Sequence, residues 1–193
     1  MKVSFGQKIP IALTQIQNKK TEKFEPATIY EVDCIDERDH LDVKKDRSDW
    51  NFSWQIADNM HCKYVLFNHY NHNDEKNLFY ILQNQNYEEL GRIHIEEKNN
   101  NSFAIEWLDT KNNNGYRYIG QTLLATVAKE ILSKGGKSFI ILGAMDDAVP
   151  FYKDVCQFTD CGKYGFHMDE KQMQEFISRT EKRTNGPIID LKV

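Results

Sequence analysis

Residues 105–124, IEWLDTKNNNGYRYIGQTLL, run from an apolar strand-like stretch through a glycine-containing loop directly into a helical pattern. That order makes an anion site. The first N–H groups of a helix have no internal partner and carry the positive end of its dipole, so a phosphate placed there is stabilised twice. Gly120 lets such a group approach the backbone closely. Other reactive residues are less well placed. Cys156 has no partnered histidine evident in sequence, which sets aside an acyl-carrying thiol. Cys34, Cys62, Cys156 and Cys161, with His61, His69, His72 and His167, contain no CxxC pair and no finger spacing, so no metal centre is expected. The run GGKS at 135–138 lacks a glycine five residues before Gly136 and ends a helix, which excludes a nucleotide P-loop.

The elements around the loop follow from periodicity. Residues 90–97 alternate Gly91, Ile93 and Ile95 against Arg92, His94 and Glu96, and the turn signal KNNNS follows. A return strand over 103–110 sets Phe103, Ile105 and Trp107 on one face against Ala104, Glu106 and Leu108, as a central strand would. Ile119, Leu123, Leu124, Val127, Ala128, Ile131 and Leu132 recur at a helical period closed by Gly135 and Gly136. The buried strand SFIILGA comes next, and strand, helix and strand together make a crossover with parallel pairing.

Further out, the first 26 residues are polar with one apolar run at 9–13, and strands are expected over 27–35, around 78–82 and over 162–168. Ser48 caps an expected amphipathic helix over about 49–61. Pro150 starts a short helix to Cys156, and DEKQMQEFISRTEKR forms a last one with its acids first and its bases last. The fold class is therefore mixed α/β.

The loop and helix resemble those of the GNAT acetyltransferase superfamily, whose pyrophosphate loop reads Gln/Arg-x-x-Gly-x-Gly/Ala between a central strand and a long helix. Gly120 falls on the last small residue, and residues 148–158, AVPFYKDVCQF, look like the second signature, Ala-x-x-Phe-Tyr. Gly115 stands where the family prefers Gln or Arg, Tyr118 at the first glycine, and Met145 at a common asparagine. The resemblance covers about residues 90–158. It implies a central mixed, mostly antiparallel sheet flanked by helices in a three-layer αβα arrangement. It also implies acetyl transfer from acetyl-CoA, as cosubstrate, directly to a primary amine on a small molecule, a peptide N-terminus or a lysine. The departures keep open a non-catalytic acyl-CoA-binding or protein-interaction module of the same fold.

Carried over residue by residue, the resemblance puts the thioester carbonyl on the backbone N–H groups of Leu108, Asp109 and Thr110. It puts the pyrophosphate on Gly115, Tyr116, Arg117, Tyr118, Ile119, Gly120 and Gln121, and makes Tyr152 the acid that protonates the departing thiolate. An attacking amine must be neutral, so a proton acceptor is needed. Glu106 on the central strand is the candidate, with Glu96, Asp109 and His94 as rivals. Arg117 and Lys153 are candidates for pairing with CoA phosphates.

Composition bounds the rest. At 193 residues the chain suits one domain, 1–193, with a single core. Apolar residues at 40% and charged residues at 28% fit a globular protein, and the net charge of −4 argues against a general grip on nucleic acid. No apolar run reaches the length of a membrane span and the N-terminus lacks a signal core, so the expected location is the cytoplasm. Oligomeric state has no signature.

Overall fold

The computed structural model describes residues 8–32, 77–98, 101–111, 114–163 and 165–191. The elements are β1 (Lys8–Asn18), β2 (Phe24–Val32), β3 (Asn77–Asn84), β4 (Glu89–Glu97), β5 (Ser102–Thr110), β6 (Tyr116–Arg117), α1 (Ile119–Ser133) and β7 (Ser138–Ile141). A π-helical turn (Phe151–Val155), β8 (Thr159–Gly162), β9 (Gly165–Asp169), α2 (Glu170–Arg183) and β10 (Ile189–Asp190) complete them. The strands form one sheet in the order β10-β1-β2-β3-β4-β5-β7-β9-β8, with β6 attached to the end of β1. Among the described residues β5–β7 is the parallel pair, built by the crossover through α1, and every other pairing is antiparallel.

The sheet needs α1 because one of its faces is apolar. Gly91, Ile93 and Ile95 on β4 share a face with Thr110, Leu108 and Ile105 on β5, and that face meets α1 so closely that a Cβ on Gly91 would touch Ile119 Cγ2 at 2.6 Å. Leu123, Leu124, Val127, Ala128 and Ile131 on the helix are fully buried, as are Tyr80, Leu82, Ile93 and Ile95 beneath or beside it. Burying a side chain of that size contributes about 1.5–3 kcal/mol. Gly135, at φ 76°, and Gly136 then close α1: Gly136 N–H donates to Ile131 O at 2.8 Å and Gly135 N–H to Leu132 O at 3.0 Å. This left-handed turn sends the chain back into β7. Helix α2 packs beside α1 and starts in a reciprocal cap, with Asp169 Oδ1 accepting from Gln172 N–H at 2.8 Å and Gln172 Oε1 accepting from Asp169 N–H at 3.0 Å.

The expected mixed, mostly antiparallel sheet flanked by helices is observed, with several local corrections. The polar N-terminal stretch contains an eleven-residue strand, β1, because only one of its faces is covered: Ile11, Ala12, Thr14 and Ile16 are buried while Leu13 is exposed. The short helix after Pro150 is a π turn. The expected alternation of β5 breaks at Glu106, which is an extra residue between the pairs His94↔Trp107 and Ile95↔Ile105. This bulge moves Trp107 from the face of Phe103 and Ile105 to the opposite one, where the Arg92 guanidinium lies 5.7 Å from its ring centroid. The expected helix over about 49–61 lies outside the described residues.

Candidate functional site

Two strands that start together part company in the middle of the sheet. β5 pairs with β7 from Ser102↔Ser138 to Ile105↔Ile141 and there the pairing ends, although β5 continues to Thr110. Leu142 after β7 is exposed and Gly143 turns at φ 79°, so the chain leaves the ladder at once. On the other side β5 stays bonded to β4 as far as Thr110↔Gly91. Residues 106–110 thus present one backbone edge without a strand neighbour among the described residues, beginning at the Glu106 bulge. Leu108, Asp109 and Thr110 lie on this stretch. Asp109 is buried, and its Oδ1 accepts from Thr110 N–H at 2.7 Å, so that donor is engaged.

The loop that follows is held by its own backbone and by β1. Asn114 Oδ1 accepts from Tyr116 N–H at 2.7 Å, Gly115 adopts φ 74°, and Gly115 O accepts from Lys19 N–H at 2.7 Å. Tyr116 and Arg117 then pair with Asn18 and Gln17. Tyr118, at the first glycine of the resembled motif, has φ 71° and ψ 10°, the left-handed conformation that glycine adopts freely and that costs another residue about 1–2 kcal/mol. The backbone path of a glycine is kept with a tyrosine in it. Thr122 N–H, bonded to Tyr118 O at 2.9 Å, opens the helical ladder. No side chain caps the helix and its first turn holds no acid, which suits an anion near Ile119, Gly120 and Gln121. Gly120 has a packing reason as well, since a Cβ there would lie 3.1 Å from Phe151 Cζ. The Arg117 side chain is exposed.

Phe151 brings in the π turn. Tyr152 follows it, buried, with ring centroids 5.2 Å from Phe151, 5.9 Å from Phe158 and 5.8 Å from Phe166. Burial pushes its hydroxyl well above the ordinary tyrosine range, so the proton stays on oxygen. Cys156 is fully buried, and burial drives its thiol up as well, which makes a nucleophile of it no more plausible than its sequence did. Lys153 pairs with Asp160 at 3.1 Å on the surface. Arg179 of α2 donates to Cys156 O at 2.9 Å and to the Gln157 side chain, tying that helix to the end of the π turn.

Among the proton-acceptor candidates, Glu106 and Glu96 share one cation: Lys98 Nζ lies 3.2 Å from Glu106 Oε1 and also pairs with Glu96 Oε2. Partial desolvation would lower the Lys98 ammonium, but the two hydrogen-bonded carboxylates outweigh it and raise it. His94 is buried on the same face as Trp107 and Asp109, beside the bulge. Lys98 and the bulge were not read from sequence. Among the described residues no group of histidines, cysteines and acids is arranged to hold a metal, and no helix is long and apolar enough to cross a membrane.

Solved structures share this fold. FdhC, a nucleotide-linked sugar GNAT, superposes with a TM-score of 0.62 at 11% identity, over 92% of this chain and 100% of its own. The fold is that of the GNAT acetyltransferases. An aminoglycoside 6′-acetyltransferase of type Ii gives the GNAT match a TM-score of 0.55 at 16% identity over 72% of this chain and 94% of its own. For GCN5 from Tetrahymena the values are 0.51, 13%, 71% and 89%. No protein-family model and no curated protein sequence matches the chain. The path of the backbone thus bears out the GNAT fold that residues 90–158 led one to expect, at identities of 11–16%.

Proposed function

We propose that this protein transfers the acetyl group of acetyl-CoA to a primary amine, on a small molecule, a peptide N-terminus or a lysine. The observation that carries the reading is the break between β5 and β7 after Ile105 and Ile141, lying at the end of the strand that leads into the uncapped N-terminus of α1. An open backbone edge is suited to receiving an acyl carbonyl, and an uncapped helix start to receiving a pyrophosphate. The fold neighbours support the same chemistry in general terms, and the acceptors in their names, a nucleotide-linked sugar and an aminoglycoside, differ too much to indicate one here.

In this reading the neutral amine attacks the thioester carbon, the C–S bond breaks with its electron pair passing to sulfur, and Tyr152 Oη supplies the proton that yields the CoA thiol. Burial keeps Tyr152 protonated and available as a donor but makes it a weaker acid, so the transfer is driven by the negative charge building on sulfur. The amine's proton leaves to Glu106 directly or through water, with Glu96, Asp109 and His94 as the alternatives. Of the three expected donors Leu108 N–H polarises the carbonyl, and residues 115–121 hold the pyrophosphate. Asp109 N–H faces β4 in the register that Lys111 N–H to Leu90 O sets, and Thr110 N–H is taken by Asp109 Oδ1. Tyr118 supports this role by keeping the left-handed turn.

The test is the unfolding midpoint with and without acetyl-CoA. A ligand at about 100 times its Kd adds about 2.7 kcal/mol, which for a chain of this length is a rise of about 5–11 °C. A rise of that size with acetyl-CoA and none with adenosine is expected, followed by acetylation of amines in a screen. No rise at millimolar acetyl-CoA would overturn the reading.

A further inference from the structure

The loop of 114–118 is attached to the rest of the sheet by few bonds, and one carboxylate gathers several of them. β6 contributes two pairs to the ladder with β1, too few to fix a segment alone. Glu25, at the start of β2, completes the attachment. Its Oε2 accepts from Tyr116 Oη at 3.0 Å and its Oε1 from Asn18 Nδ2 at 2.9 Å. Asn18 in turn closes the β1–β2 turn, with its Oδ1 accepting from the N–H groups of Lys20 at 3.0 Å and Thr21 at 3.2 Å. Tyr116 Oη is thus joined through Glu25 to the β1–β2 turn. Burial first, and the bond to Glu25 second, raise that hydroxyl above the ordinary range, so it stays a donor.

We propose that Glu25 is a positioning residue for the acyl-CoA loop: its carboxylate locks Tyr116 to the β1–β2 turn and thereby sets where the first amides of α1 stand. The proposal rests on the acetyl-CoA reading above. Tyr116 is three residues from Ile119, so its anchored ring lies within about 10 Å of chain from the amides in question. Between them stands Tyr118, whose fixed left-handed conformation transmits a displacement instead of absorbing it. Both bonds to Glu25 are assisted by its charge, which makes them stronger than neutral ones. A loop fixed before the ligand arrives spares the ligand the cost of ordering it. The reacting groups on β5 and in the π turn are held by other contacts.

Glu25→Ala is therefore expected to raise KM for acetyl-CoA about tenfold while kcat stays within twofold, with Glu25→Gln intermediate because one acceptor oxygen survives. Tyr116→Phe should raise KM by a similar factor, and the double variant no further, because both changes remove the same bond. In the ligand-free protein, amide exchange at residues 116–121 should quicken by about the same factor in Glu25→Ala, with exchange in α2 unchanged. Unaltered KM, an equal loss in kcat, or unaltered exchange at 116–121 would overturn the proposal. If the wild-type chain fails to bind acetyl-CoA while the exchange still quickens, the acetyl-transfer reading falls and the clamp stands.

Discussion

Replacing Tyr152 by phenylalanine removes one oxygen atom and keeps the ring that packs against Phe151, Phe158 and Phe166 at 5.2, 5.9 and 5.8 Å. The hydroxyl has no hydrogen bond among the described residues, so its loss costs little stability, about 1 kcal/mol or less, or a Tm change within about 4 °C. What it removes is the proton offered to sulfur. General acids contribute about 10²- to 10⁴-fold, and the lower bound fits a thiolate leaving group that departs tolerably without help. The expected result is a kcat about 100-fold lower, with the Kd for acetyl-CoA from calorimetry unchanged, since no pyrophosphate contact involves this ring. A Tyr152→Ala variant serves as the contrast, because emptying so much of the aromatic cluster should destabilise by about 3–5 kcal/mol. Turnover in Tyr152→Phe within twofold of wild type, at equal Tm, would refute the assignment of Tyr152 as the acid.

Other outcomes follow from the same packing. In Gly120→Ala the new methyl meets Phe151 at 3.1 Å and the ring must yield, so Tm should fall by about 2–4 °C, a loss of about 1 kcal/mol, measurable by a thermal melt; no fall would mean that Phe151 moves freely. Burial raises the hydroxyls of Tyr80 and Tyr152 above their unfolded value of 10.0. The stability this represents is full below that pH and is lost as pH rises above it, because the unfolded chain releases protons that the folded one keeps. Urea midpoints should drop between pH 9 and pH 11, by up to about 1.4 kcal/mol per pH unit for each group, and Tyr80→Phe should shrink the drop. Equal slopes in wild type and Tyr80→Phe would exclude Tyr80 as a source.

The parts legible in the sequence were those where the pattern repeats locally. α1 is found at Ile119–Ser133 because seven apolar positions and two closing glycines all point to one helix, and β4 with β5 because their alternation is bounded by a turn. β8 and β10 escaped for the opposite reason. Their residues are exposed, so no burial leaves a period in them, and they exist as strands through β9 and β1. The Glu106 bulge is invisible because one extra residue looks the same in sequence as a regular strand, yet it reassigns Trp107 to another face. In the candidate site, the loop was readable from glycine and helix start, while its anchor was not: Glu25 and Tyr116 are 91 positions apart, and neither residue type implies the other. The left-handed Tyr118 shows a further limit, since a residue that disfavours a conformation can still occupy it when the pairs on one side and the helix on the other dictate the path.

The parting of β5 from β7 also has a mechanical meaning. Four pairs, Ser102↔Ser138 to Ile105↔Ile141, join the half of the sheet built by β1 to β5 to the half built by β7 to β9, and past them no pair among the described residues spans the gap. A change of splay within the plane of the sheet is resisted at Phe103 by those pairs and at Leu108 by no β7 partner among the described residues, so the freedom to widen is greatest at the place proposed for the acyl group.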